Sequence, residues 1–284
     1  MKLKGKIAVI TGGSRGIGKA VAKKFFAEGA SLMLSARSAD ELASAKMDLL
    51  GTIEESAADH GTIEIFPADV SRKDDARALI KKTIETFGAI DILVNAAGIY
   101  GAIGPVVSVD FEKWKDAFMV NLFGTFNVIQ ETLPAFMEKK SGKIINFSGG
   151  GDGPLPNFSS YSSSKVGVVR LTETLAQEIK EYGITVNAVA PGAVNTNILE
   201  DALKAGEEVV GKEMYAKFLK QKEEGGVPPE KAAELCAFLA SSDSDGLSGK
   251  LISAIWDDFG SWDAAKIKVI MDSNKLTLRR TPLL

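Results

Sequence analysis

Ile7-Ala8-Val9-Ile10-Thr11-Gly12-Gly13-Ser14-Arg15-Gly16-Ile17-Gly18 is the stretch that decides the fold. Its first four residues are apolar and partly β-branched, as a buried strand requires. Glycines then dominate a short turn, and a helical stripe follows, Ala20, Val21, Phe25 and Phe26, stopping at Gly29. Strand, glycine turn and helix in that order make a phosphate site. The glycines let the backbone turn sharply and approach closely, and the helix start aims N–H groups and a positive dipole end at a pyrophosphate.

Outward from this unit the alternation continues. Strands are expected at Leu32–Ser35, Ile63–Phe66, Ile90–Val94, Lys143–Phe147, Ile184–Val189 and Leu251–Ile255. Helical patterns fall at 39–60, at 72–87, at 111–140 with a break near Pro134, after Tyr161, and at 228–239. Such alternation predicts βαβ units, hence an α/β fold with a doubly wound, parallel, seven-stranded sheet between two helical layers. Ligands lie beyond the carboxyl ends of such strands. The second strand ends Ser35-Ala36-Arg37-Ser38. It offers no carboxylate for the ribose hydroxyl of NAD, whereas Arg37, with Arg15 as a second clamp, suits the 2′-phosphate of NADP. NADP is therefore favoured and NAD possible. Residues 197–226 are charged and weakly patterned, a lid or helical flap, and 256–284 form a tail of unassigned structure.

A second constellation is Tyr161-Ser162-Ser163-Ser164-Lys165. Tyr and Lys four residues apart share one helix face. Val168, Thr172, Leu175 and Ile179 continue the stripe. A free phenol titrates near about 10, and a neighbouring ammonium favours its ionised form. The pair reads as a general acid/base for an alcohol or carbonyl oxygen.

The totals exclude other chemistries. Net charge is −3, which offers no general attraction to nucleic acid or acidic membranes. Cys236 and His60 are the sole residues of their types, so no intrachain disulfide forms, no His- or Cys-rich metal site is expected, and a Ser-His-Asp hydrolase is disfavoured. No apolar run is long enough for a signal segment or a membrane span, and a cytoplasmic home is expected. Without repeats or linkers, one domain over 1–284 is the economical reading.

In order along the chain, these residues resemble the short-chain dehydrogenase/reductase superfamily, in its compact single-domain, Rossmann-like form. The resemblance spans about residues 4–255. It rests on Thr11 to Gly18, Asp69 after the third strand, Asn95 to Gly98, a helical Asn121, Tyr161 with Lys165, and Pro191-Gly192 with Thr196. It implies that Tyr161 exchanges the proton, that Lys165 tunes it and holds the nicotinamide ribose, and that Asn121 holds a relay water. Gly12, Ser14, Arg15, Gly16, Ile17, Gly18, Asp69, Val70, Asn95, Ala96, Gly98, Pro191, Gly192, Val194 and Thr196 fall where the family meets its cofactor. Small-molecule substrates and a homodimer or homotetramer are the family expectation.

Two stretches depart from the pattern. A Ser that orients the substrate normally follows the fifth strand. Strand alignment puts Gly149 there, whereas counting thirteen residues back from Tyr161 gives Ser148; Ser148 is the candidate, with the backbone of the 149–153 loop as the substitute. Trp256-Asp257-Asp258-Phe259-Gly260 replaces the usual Asp-Gly-Gly. The leading expectation is an NAD(P)-dependent oxidoreductase of alcohols and ketones. The alternatives are a nucleotide-sugar epimerase or dehydratase and a non-catalytic dinucleotide-binding protein. Asp152 and Asn157 are candidate polar contacts for the substrate.

Overall fold

The computed structural model describes residues 1–51, 60–149 and 153–279. Seven parallel strands form one sheet, β1 (Ile7–Thr11), β2 (Ser31–Ala36), β3 (Ile63–Pro67), β4 (Ile92–Asn95), β5 (Gly142–Phe147), β6 (Ile184–Ala190) and β7 (Leu251–Ser253), in the order β3-β2-β1-β4-β5-β6-β7. The order reverses between β1 and β4, the switch point where a crevice opens beyond the strand ends.

Alternation along each strand sends side chains to two separate cores. Ala8, Ile10, Leu32, Leu34, Ile92, Val94, Ile145 and Phe147 face one side. There they meet α1 (Gly16–Ala27) through Val21, Phe25 and Phe26, α2 (Ala39–Leu50) through Leu42 and Leu49, and α10 (Pro229–Ala240). Val9, Met33, Leu93, Ile144 and Val186 face the other side. Their cover is α3 (Lys73–Phe87), α5 (Gly124–Lys139) and α6 (Ser159–Glu178), through Leu79, Ile80, Val128, Ile129 and Leu175.

Several boundaries differ from the sequence expectation. Helix α2 stops at Leu50, and residues 52–59 lie outside the described residues. The 111–140 helix is interrupted early. After α4 (Phe111–Phe118) the ladder widens to a π turn at Met119–Phe123, where the Gly124 N–H reaches back to Met119 O. Pro134 sits inside α5 without dividing it. Strand β7 ends at Ser253 because Asp257 accepts the Ser253 N–H at 2.7 Å and the Ser253 hydroxyl accepts those of Ile255 and Trp256, turning the chain away.

The weakly patterned segment is three helices, α7 (Asn197–Ala205), α8 (Glu207–Val210) and α9 (Lys212–Glu224), folded over a third apolar cluster. The tail carries α11 (Ala264–Met271), whose Ile267 and Ile270 complete the first core.

Candidate active site

The ends of β1 to β4 and the start of α7 enclose a cavity of about 390 Å³. The glycine loop forms one wall with Gly12, Ser14, Arg15, Gly16, Ile17 and Gly18. Here the glycines are sterically required. A Cβ on Gly12, whose φ is +66°, would lie 2.8 Å from the Ala96 backbone, and one on Gly18 would lie 2.1 Å from Gly12 O. The loop is thereby pressed against the start of the 96–99 segment. Helix α1 begins at this wall with no side-chain cap on its first N–H groups and no acidic residue in its first turn. In contrast, α2, α4 and α11 are capped by Ser38, Asp110 and Asp263. An uncapped helix start facing a cavity is an anion site, so the residues fit a dinucleotide.

Arg37, Ser38, Glu41, Asp69, Val70, Ala96, Gly98, Ile99, Thr196, Ile198 and Asp201 line the rest. The Asp69 carboxylate is engaged, accepting the Ser71 N–H at 3.0 Å and the Ser71 hydroxyl at 2.7 Å. Thr196 closes on the glycine loop, its Cγ2 3.3 Å from where a Gly16 Cβ would stand. Pro191, Gly192 and Val194 do not line this cavity; Val194 instead bridges to Val227 and fixes the approach to α7. Asn95 is buried below it. Its amide donates to Asn146 Oδ1 at 2.9 Å, Asn146 donates to Thr172 Oγ1 at 2.9 Å, and the Thr172 hydroxyl donates to Val168 O at 2.8 Å. This chain ties β4 and β5 to α6, a positioning task the sequence motif did not reveal.

Helix α6 brings Lys165 against Gly98 on the cavity wall, with Tyr161 one turn before it. Lys165 is 5% exposed, and its Nζ donates to Phe147 O at 3.0 Å. A Cβ on Gly98 would stand 3.4 Å from that Nζ and 3.3 Å from Asn121 Oδ1, so the three predicted residues meet at one point of the cavity wall. Asn121, fully buried in the π turn, donates to Ile99 O and to the Ser164 hydroxyl and accepts the Ile99 N–H, each at 2.9 Å. The widened turn thus fixes the 96–99 segment to α6, in keeping with π turns that mark functional sites.

The electrostatics differ from the simple pair. Burial pushes the Tyr161 phenol up, and neighbouring Tyr100, 4.7 Å away edge to face, adds to the rise. Tyr100 is itself pushed up to about 12 by burial, and burial pushes Lys165 down to about 8. The expected lowering of Tyr161 by Lys165 is absent, because both groups are desolvated and the ammonium turns to the Phe147 carbonyl. The Tyr161 phenol accordingly keeps its proton at neutral pH.

Ser148 donates its backbone N–H to Val189 O at 2.9 Å, and the position packed on Tyr161 is Gly149. Asp152 lies outside the described residues. Asn157 makes a structural contact: at φ +67° it donates its amide to Val210 O at 3.0 Å and so holds α8. Tyr161 packs in an apolar cluster with Tyr100, Ile103, Leu155, Phe158, Leu199, Val210, Met214 and Phe218, a surround the sequence patterns did not foresee.

Known proteins resemble this chain in sequence and in fold. Residues 6–206 match the family model described as short chain dehydrogenase. The chain is 34% identical over 254 residues to a 3-oxoacyl-(acyl-carrier-protein) reductase of Thermotoga maritima, covering 89% of this chain and 97% of that one. It is 37% identical to the 3beta-hydroxysteroid dehydrogenase 1 of Eggerthella lenta over 250 residues, 87% of this chain and 91% of the relative. The crystal structure of levodione reductase superposes with a TM-score of 0.80 at 29% identity, covering 92% of this chain and all of that chain.

Proposed function

The chain belongs to the short chain dehydrogenase family and is an oxidoreductase using a nicotinamide cofactor; we propose that it reduces an apolar ketone to an alcohol, favouring NADPH, with Tyr161 as the proton donor. The observation that carries this is the meeting of Lys165 and Asn121 at Gly98, on the wall of the cavity, with Tyr161 one turn before Lys165 on the same helix. When bound, the nicotinamide supplies the hydride.

The chain's own residues do the rest. The free helix start of α1 would hold the pyrophosphate, and Arg37 would hold the ribose phosphate. Tyr161 gives its proton to the substrate oxygen as charge develops there. Lys165, an ammonium below pH about 8, offsets the phenolate that remains. The apolar cluster around Tyr161 excludes water and supports an apolar substrate. Asn121, its amide engaged by Ile99 and Ser164, fixes the 96–99 segment beside Lys165.

The test is Tyr161→Phe, assayed with NADPH and a panel of cyclic and aliphatic ketones. Loss of turnover by about a hundredfold or more is expected, the scale of a positioned acid, with NADPH binding retained. Undiminished turnover would remove Tyr161 from the mechanism.

A further inference from the structure

Glu41 belongs to no motif in the sequence, yet the fold carries it across the cavity mouth. Ser38-Ala39-Asp40-Glu41 opens α2 in the pattern of a capping box, in which Ser and Glu satisfy each other's backbone N–H. Half of that box is made: the Glu41 N–H donates to Ser38 Oγ at 3.2 Å. The other half is diverted. The Glu41 carboxylate turns to the glycine loop, where the Ser14 hydroxyl donates to Oε2 at 3.1 Å and Arg15 Nη1 donates to Oε1 at 3.2 Å. Ser14, Arg15, Arg37 and Glu41 all line the cavity, the last at the start of the helix that follows Arg37. Ser35 joins them there, its hydroxyl 1% exposed as a residue and without a partner among the described residues.

Arg37 directly follows β2, where a dinucleotide fold receives the adenosine ribose. We propose that Glu41 sets the cofactor preference, its carboxylate occupying Arg15 and opposing a 2′-phosphate, so that the enzyme admits NADH beside NADPH. The inference rests on the assignment of Arg37 to the 2′-phosphate. Arg37 and Arg15 would otherwise form a two-cation clamp selective for the phosphate. Glu41 cancels one of the two cations and places a like charge beside the phosphate, whereas a 2′-hydroxyl can donate to it. About half of each partner's side chain is exposed, so water and salt screen the repulsion, and about tenfold in affinity is the expected scale.

Equilibrium binding of NADPH and of NADH, followed by fluorescence, would compare wild type, Glu41→Gln, Glu41→Ala and Arg37→Ala. Both Glu41 variants should tighten NADPH by about tenfold, with NADH unchanged or weakened by up to about threefold. NADPH binding that stays the same or weakens, or equal tightening of both cofactors, overturns the role of Glu41. Selective loss of NADPH in Arg37→Ala with silent Glu41 variants upholds the phosphate assignment and discards Glu41. Tightened NADPH in the Glu41 variants with a silent Arg37→Ala does the reverse.

Discussion

Gly149 leaves no space for any side chain, since a Cβ there would stand 2.1 Å from Tyr161 Oη and 2.7 Å from its Cζ. Gly149→Ala must push the phenol aside, and a displacement of about 1 Å can cost about a hundredfold. Turnover should fall at least tenfold, by steady-state assay, with a melting temperature close to wild type. Lys165 allows a second prediction. Its folded value is about 8, below the roughly 10.4 of an unfolded lysine. Between those values the unfolded chain binds more protons, so rising pH favours the folded state. The destabilisation is full below pH 8 and is relieved as pH climbs toward 10.4. Wild type should therefore gain melting temperature on Lys165→Met between pH 8 and 10, a window that differential scanning calorimetry at several pH values would read. A constant difference would refute the buried ammonium. The Tyr161–Lys165 pair was legible because a four-residue spacing has one meaning on a helix. Gly149 against Ser148 was not, since one residue of loop length shifts which position meets the phenol. Glu41 and Asn157 were hidden for a related reason: their partners, Arg15 and Val210, are distant in sequence and joined by tertiary folding.

The helical flap is where element-level reasoning from sequence was thinnest. Its charged faces hide a short inner stripe, and α8 is a single turn set between Gly206 at φ +87° and Gly211 at φ +90°. No periodicity is measurable over four residues. Among the contacts that hold the flap, Phe218 meets Phe158 edge to face at 5.7 Å, Asn157 holds Val210 O, and the Asn195 and Gln221 side chains bond at 3.0 Å. Phe218→Ala should loosen α9 over the apolar cluster and raise KM for ketones by about tenfold, the scale of one lost aromatic anchor, while the NADPH Kd moves less than twofold. A matching rise in both constants would mean that the flap serves the cofactor as much as the substrate. The strands were easier, because burial on both faces gives continuous apolar runs. The π turn at Met119–Phe123 escaped notice, since Pro134 was the more conspicuous breaker and the widening depends on Asn121 reaching Ile99.

At the scale of the whole molecule, the cavity at the strand ends is built from local units and the cluster around Tyr161 from distant ones. The glycine loop, Arg37, Asp69 and Gly98 each follow a strand by a few residues, so strand order alone gathers them at one rim. The surround of Tyr161 draws on residues from Tyr100 to Phe218 and is assembled only when the flap docks. This difference explains why the cofactor class was readable and the apolar cluster around Tyr161 was not. The strand order β3-β2-β1-β4-β5-β6-β7 has a further consequence, for synthesis. Every strand after β1 adds to an edge already exposed by an earlier one, outward on one side as far as β3 and then outward on the other as far as β7. Nothing must be inserted between partners that have already paired. A nascent chain can therefore extend the sheet in the order in which the ribosome delivers it, and α6 meets a rim of β1 to β4 that is already in place, before α7 arrives to close it.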